Sequence, residues 1–219
     1  MRINDILQEA DEDSANAKQI ISKLQKLGYT PVGSGLDSTV WSRDAGSVIK
    51  IIMPHELSRA EGDASFLTFY QFCAANKRSP FLPQFISIGG VDHSVFTLNG
   101  VDYRQISMEK LEPVENNSFM EQMVWALSDL ASVPFIKWRD VKQQLVDPAF
   151  WQDFPGPGRE QEITQGLNNP ATEKMYAALF ETMKSLFLYG KTRSVGWDLH
   201  TENVMRRGNT PVITDPFTG

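Results

Sequence analysis

The chain has 219 residues, 41% of them hydrophobic and 11% aromatic, which is enough for one large domain or two small lobes to bury a core. A formal net charge of −6 excludes broad, sequence-independent nucleic-acid binding, which needs a basic surface to displace counterions. A single cysteine, Cys73 in the apolar run TFYQFC, leaves no disulfide framework or thiolate metal cluster to build. The N-terminus, MRINDILQEADEDSANAK, carries acids where a targeting segment would carry a basic flank and an apolar stretch, and no apolar run is long enough to span a membrane. A cytoplasmic protein with no membrane partner is the expectation.

Residues 1–28 read as a helical extension, with Ser14 as N-cap, Ile20, Ile21, Leu24 and Leu27 at helical spacing, and Gly28 as the stop. From Tyr29 the pattern changes to short β-type runs: YTPVG, STVWSR and SVIKII, the last two joined by the hairpin chemistry of Asp44, Ala45 and Gly46. A helix starting near Ser58 carries AEGDASFLTFYQFCAA, and Pro80 and Pro83 close it. PQFISIGG, HSVFTL and YRQISMEKL follow as strands, separated by Gly89-Gly90 and Asn99-Gly100 turns. The first half is therefore an antiparallel sheet of about five strands with one inserted helix. NNSFMEQMVWALSDLA and PATEKMYAALFETMKSLFLYG are the two best helix candidates of the second half, and VDPAFWQDFPGPGREQ between them reads as loop. Short strands return at VMRR and PVIT. The fold class is α+β, with boundaries at 1–28, 29–112 and 113–219.

Three motifs occur in order: Gly33-Ser34-Gly35 within GSGLDSTVW, Lys50 within VIKII, and Asp198, Asn203 and Asp215 near the C-terminus. The glycines lack the third member and the following helix of a dinucleotide fingerprint, and no Walker P-loop is present. A glycine turn between strands lets backbone N–H groups approach phosphate oxygens, and an inward lysine one strand later reaches the same phosphates. Lys50, flanked by Val48, Ile49, Ile51 and Ile52, needs an anionic partner.

Asp198-Leu199-His200-Thr201-Glu202-Asn203 resembles the D-L-x-x-x-N catalytic loop of the protein-kinase-like superfamily, and Asp215 in TDPF, twelve residues after Asn203, resembles its metal-binding D-F-G position. The D-L-H-x-x-N form is similar to small-molecule and atypical kinases, and the whole stretch looks like the kinases of short-tailed bacteriophages. The resemblance implies a two-lobed fold with a five-stranded N-lobe and a reduced helical C-lobe. It also implies an ATP- and Mg²⁺-dependent phosphotransferase moving the γ-phosphoryl group to a hydroxyl, with Ser/Thr of a protein as the favoured acceptor. Asp198 would orient that hydroxyl, Asn203 and Asp215 would hold the metal, and Lys50 would clamp the α/β phosphates. The nucleotide would also meet Gly33, Ser34, Gly35, Ser38, Val48 and His200, with Met108, Glu109 and Leu111 at the adenine edge. Either Glu61 or Asp63 would pair with Lys50.

Two departures from the family pattern stand out. Gly196 occupies the place usually held by histidine or tyrosine two positions before the catalytic aspartate, and no activation segment follows Phe217. Substrate recognition would then come from the 115–190 region, or from a partner protein or second copy completing the C-lobe. The alternatives are a small-molecule kinase, or a kinase-shaped regulatory or toxin/antitoxin module that binds nucleotide without turnover. Ser34 and Ser38 would also be the nearest autophosphorylation sites.

Overall fold

The computed structural model describes residues 14–34, 38–52, 65–87, 93–116, 118–153 and 160–218. The chain divides into two compact units: Met1–Ala64 with Gln84–Lys110, and Ser65–Pro83 with Leu111–Gly219. The sequence-based boundary at 112 leaves 65–83 in the first lobe, whereas that segment groups with the C-terminal half. The fold is α+β, and among the described residues no helix is long and apolar enough to cross a membrane.

In the first unit, α1 (Ser14–Lys26) ends where Gly28 takes φ 83°, a left-handed conformation that favours glycine. The Gly28 N–H donates to Gln25 O (3.0 Å) and the Tyr29 N–H to Leu24 O (3.0 Å), the double bond of a Schellman stop. Five antiparallel strands follow: β1 (Thr30–Ser34), β2 (Ser38–Ser42), β3 (Ser47–Ile52), β4 (His93–Leu98) and β5 (Val101–Glu109), in the order β1-β2-β3-β5-β4. The β2–β3 turn is built on Asp44, whose Oδ1 accepts from the N–H groups of Gly46 (2.9 Å) and Ser47 (2.8 Å). Those bonds hold its carboxyl below the usual aspartate range.

Register sorts the sheet into two faces, because directly opposed residues point the same way and neighbours along a strand point apart. Trp41, Ile49, Ile51 and Tyr103 form one core with Ile20 and Leu24 of α1. Ser38, Val40, Val48, Lys50, Ile52, Arg104, Ile106 and Met108 lie on the opposite face. Leu27, expected in the apolar stripe of α1, is instead exposed, because the Schellman turn has already carried the chain off the sheet. The described part of PQFISIGG, residues 83–87, forms an isolated bridge rather than a strand. Phe85 makes a single bridge to Met108, and Ile86 N–H and Gln84 O bond Ser107 and Glu109, so this segment only extends the edge of β5 already used by β4.

The second unit is mostly helical: α2 (Ser65–Ala75), α3 (Phe119–Ala131), α4 (Trp138–Leu145), α5 (Glu160–Asn168) and α6 (Pro170–Thr192). The helix start expected near Ser58 lies outside the described residues. Ser118 caps α3 by accepting from the Glu121 N–H, and Asn169 caps α6 just ahead of Pro170. The central helix α6 packs against α2, α3 and α5 and buries Tyr176, Leu179, Phe180, Met183 and Leu186. Within the expected loop 146–161 the 3₁₀ turn Pro148–Asp153 and the first two residues of α5 are helical, and α4 and the rest of α5 flank it. They form because Val141, Leu145, Ile163 and Leu167, each four residues from its partner, are buried.

Short strands complete this unit. β6 (Glu112–Pro113) pairs with β8 (Val204–Arg207), β8 with β9 (Thr210–Ile213), and β7 (Gly196–Trp197) with β10 (Phe217–Thr218). Gly190 of α6 leaves room for Phe217: a Cβ there would fall 2.5 Å from its ring.

Candidate functional site

The second unit gathers four of the sequence-selected residues into one loop cluster. Asp198 follows β7 directly, and its N–H donates to Pro216 O (2.9 Å), tying it to the segment that carries Asp215. Asn203 closes the 3₁₀ turn Thr201–Asn203, and its carbonyl accepts from the Thr214 N–H (2.9 Å), continuing the β8–β9 register that pairs Val204 with Ile213. Asp215 is thus one residue beyond the partner of Asn203.

Leu199 anchors the loop from below. It is buried, and its carbonyl accepts from Ser128 Oγ of α3 (2.9 Å), which itself accepts from Trp197 Nε1 (3.3 Å). Trp197 stacks edge-on with Phe187 and Phe217. With Leu199 held inward, Asp198 and His200 on either side point to solvent, their side chains 52% and 48% exposed. Apolar packing therefore sets the loop geometry, and the polar side chains remain accessible.

The Asn203 amide has a defined orientation. Its Nδ2 lies 2.8 Å from Asp198 O, and a carbonyl only accepts, so the nitrogen must face it. The same Nδ2 is 3.0 Å from His200 Nε2, which makes that ring nitrogen the acceptor in this arrangement. The separation of 3.9 Å between His200 Nε2 and Asp198 Oδ2 is too long for a hydrogen bond, so the two readings of the ring do not conflict. His200 braces the loop through Asn203, and Asn203 Oδ1 is turned away from these contacts.

Asn203 Oδ1 and the Asp215 carboxylate are hard oxygen donors on adjacent chain segments, the chemistry a small divalent cation takes. Among the described residues no group of three His, Cys, Asp or Glu side chains could hold a metal ion. A cation bound here would draw its remaining ligands from water and from a substrate's phosphates.

In the first unit, Lys50 sits at the middle of β3, between Val40 of β2 and Ile106 of β5, and is only 8% exposed. Val48 and Met108 share its face, and Met108 is opposed to Val48. Gly33 lies at a register shift of the β1–β2 ladder, Ser34 ends β1, and Ser38 opens β2 with its side chain buried. The Glu109 N–H donates to Gln84 O (2.9 Å), so an adenine edge would have to use its carbonyl. Leu111 begins the second unit. Gly35, Glu61 and Asp63 lie outside the described residues.

Sequence reasoning did not find Ser128, whose bonds reach 71 and 69 positions along the chain and leave no local pattern. It also missed Arg206 and Arg207. Arg206 pairs with Glu112 (3.1 Å) and donates to Pro113 O, while Arg207 donates to the carbonyls of Pro80 (2.8 Å) and Leu82 (3.2 Å). With the Ile213 N–H bond to Phe81 O, these tie the β8–β9 hairpin to the segment after α2.

No family model matches the sequence, and no curated protein matches it. Among solved structures, the chain is similar to amicoumacin kinase in complex with AMP-PNP, Ca²⁺ and Ami, at 14% identity and TM-score 0.42, covering 98% of this chain and 66% of that one. It is similar to spectinomycin phosphotransferase with ADP and spectinomycin, at 15% identity and TM-score 0.39, covering 90% and 68%. An aminoglycoside phosphotransferase from Alicyclobacillus acidocaldarius shows 16% identity and TM-score 0.36, covering 86% and 62%. The chain spans about two thirds of the length of these proteins. Likenesses at this level define neither a fold nor an activity, and both rest here on the chain's own residues.

Proposed function

We propose that the protein is an ATP-dependent phosphotransferase of the protein-kinase-like kind that moves the γ-phosphoryl group to a hydroxyl. The observation that carries the reading is the Asp198–Asn203–Asp215 cluster, whose segments are joined by backbone bonds while the Asp198 side chain stays 52% exposed. The Asp198 carboxylate takes the proton of the acceptor hydroxyl as its oxygen bonds to the γ-phosphorus. The bond from that phosphorus to the β–γ bridging oxygen breaks, and ADP leaves with the electron pair. Asn203 Oδ1 and Asp215 would hold Mg²⁺, which when bound neutralises phosphate charge. Lys50 would hold the α/β phosphates.

The acceptor is a hydroxyl of one of two classes. Ser/Thr of a protein is the class the sequence resemblance implies; a small-molecule hydroxyl is the class named for spectinomycin phosphotransferase. Incubating the protein with ATP and magnesium and either a generic protein acceptor or a panel of hydroxylated small molecules, then reading products by mass, separates them. One added phosphoryl group identifies the acceptor. An AMP adduct or an unchanged acceptor with no ADP formed would contradict γ-phosphoryl transfer.

A further inference from the structure

Arg104 was selected by no sequence motif, yet it lies on the Lys50 face of the sheet. Ile52 of β3 is directly opposed to it, and Lys50 is opposed to Ile106 two positions further along β5, so the two cations are diagonal neighbours about 7–8 Å apart at their Cα atoms. Around them Val48, Ile52, Ile106 and Met108 are buried and apolar, and the polar Ser38 lies across Ile52 from Arg104. Arg104 is half-buried, and its Nε is buried with no hydrogen-bond partner among the described residues. A guanidinium N–H withdrawn from water without an acceptor bears its desolvation penalty uncompensated, and a bound acceptor would relieve it.

The charged and titratable groups on this face do not relieve it. Asp102, two residues along the same strand, is the nearest carboxylate in register, and its Oδ1 accepts instead from Thr97 Oγ1 (2.6 Å), the residue opposed to it on β4. No ion pair joins Asp102 to Arg104 among the described residues. His93 of β4 stands opposite Ile106 and adds no negative charge. Two cations close together on an apolar surface, one with a buried unused donor, define a place for an anion with several acceptor oxygens.

We infer that Arg104 is a second phosphate-binding residue, which works with Lys50 to take a phosphoryl group of the nucleotide. This rests on the phosphotransferase reading above. Arginine suits the task because its fork of N–H donors can meet two oxygens of one phosphoryl group while Lys50 meets a third as a point charge.

The test titrates adenosine, ADP and ATP in magnesium into the wild type, Arg104→Met and Arg104→Lys by calorimetry, and records each apoprotein's melting temperature. In Arg104→Met, ATP affinity is expected to fall about ten-fold or more, the loss of one charge-assisted hydrogen bond, with adenosine affinity unchanged. The melting temperature of its apoprotein should hold or rise, since a buried unpaired donor has been removed. Arg104→Lys should recover part of the ATP affinity. Wild-type ATP affinity in Arg104→Met would overturn the inference while leaving the phosphotransferase reading in place. A lowered melting temperature with adenosine and ATP weakened together would make Arg104 structural and overturn it as well. A wild type that binds none of the three ligands would end the nucleotide reading, and this inference with it.

Discussion

Lys50 and Asp198 show two ways of presenting a charged group. Lys50 stands in a central strand, hydrogen-bonded ladders on both sides, with 8% of its surface exposed. Asp198 stands on a loop whose backbone is pinned to Pro216 and, through Leu199, to Ser128, while its side chain is 52% exposed. Burial fixes the Lys50 ammonium in one place on its face of the sheet. Exposure makes Asp198 cheap, so its meaning lies in the bracing of the loop beneath it. A substitution at Lys50 should therefore act on ligand binding and leave the fold alone, and a substitution under the loop should act through geometry.

The largest effect sharpens the first half of that contrast. Lys50→Met should lower ATP turnover by about 10²-fold or more with a melting temperature within a few degrees of wild type, because a long apolar side chain fits the same strand. Steady-state ADP release and calorimetric unfolding of the same preparation check it. Unfolding of the variant, with wild-type melting indifferent to nucleotide, would make Lys50 a structural residue.

On the loop side, Asp198→Asn keeps shape and hydrogen bonding but removes the proton acceptor. Turnover should fall about 10²–10⁴-fold with ATP affinity unchanged, a split that turnover and binding titration read separately.

Gly190→Ala tests the packing under the site. An alanine normally favours a helix over glycine by about 1 kcal/mol, but here its Cβ would meet the Phe217 ring at 2.5 Å. The variant should instead lose about 1–3 kcal/mol in denaturant unfolding. Ser128→Ala removes the donor to Leu199 O and the acceptor of Trp197 Nε1. A loss of about 1–3 kcal/mol in the same unfolding measurement is expected, with kcat reduced and ATP affinity kept. A stabilised Gly190→Ala, or a Ser128→Ala with wild-type kcat, would break the claim that packing sets the loop.

The smallest effect lies away from both regions. The Lys142 ammonium (2.8 Å), and after it the Trp138 indole, hold the Glu173 carboxyl below its ordinary range. A depressed carboxyl adds stability that is present above its unfolded pKa and lost as pH falls through the folded value. Glu173→Gln should therefore melt slightly below wild type at neutral pH, with the difference shrinking as pH falls through the acid range.

Local chemistry made much of this legible in the sequence. Gly28 stops α1, Asp44 builds the β2–β3 turn, and the VMRR and PVIT runs form strands, whose pairing as β8 and β9 the structure adds. Asp198, Asn203 and Asp215 stood out by their resemblance to kinase motifs, and their loop segments meet through the bonds to Pro216 and Thr214. α4 was hidden because only Val141 and Leu145 of its eight residues are buried, too thin a stripe to outweigh its polar neighbours. The grouping of α2 with α6 was hidden because it depends on contacts such as Phe72 with Tyr189, far apart in sequence. Arg104 was hidden for a related reason, since its meaning comes from a register that brings β5 beside β3.

Magnesium-dependent conversion of ATP to ADP by the wild type and Asp215→Ala, with melting temperatures taken alongside, tests the account most directly. Turnover in the wild type should require magnesium and be abolished in a folded Asp215→Ala. Wild-type turnover retained in that variant, or no turnover in the wild type with any acceptor, would contradict it.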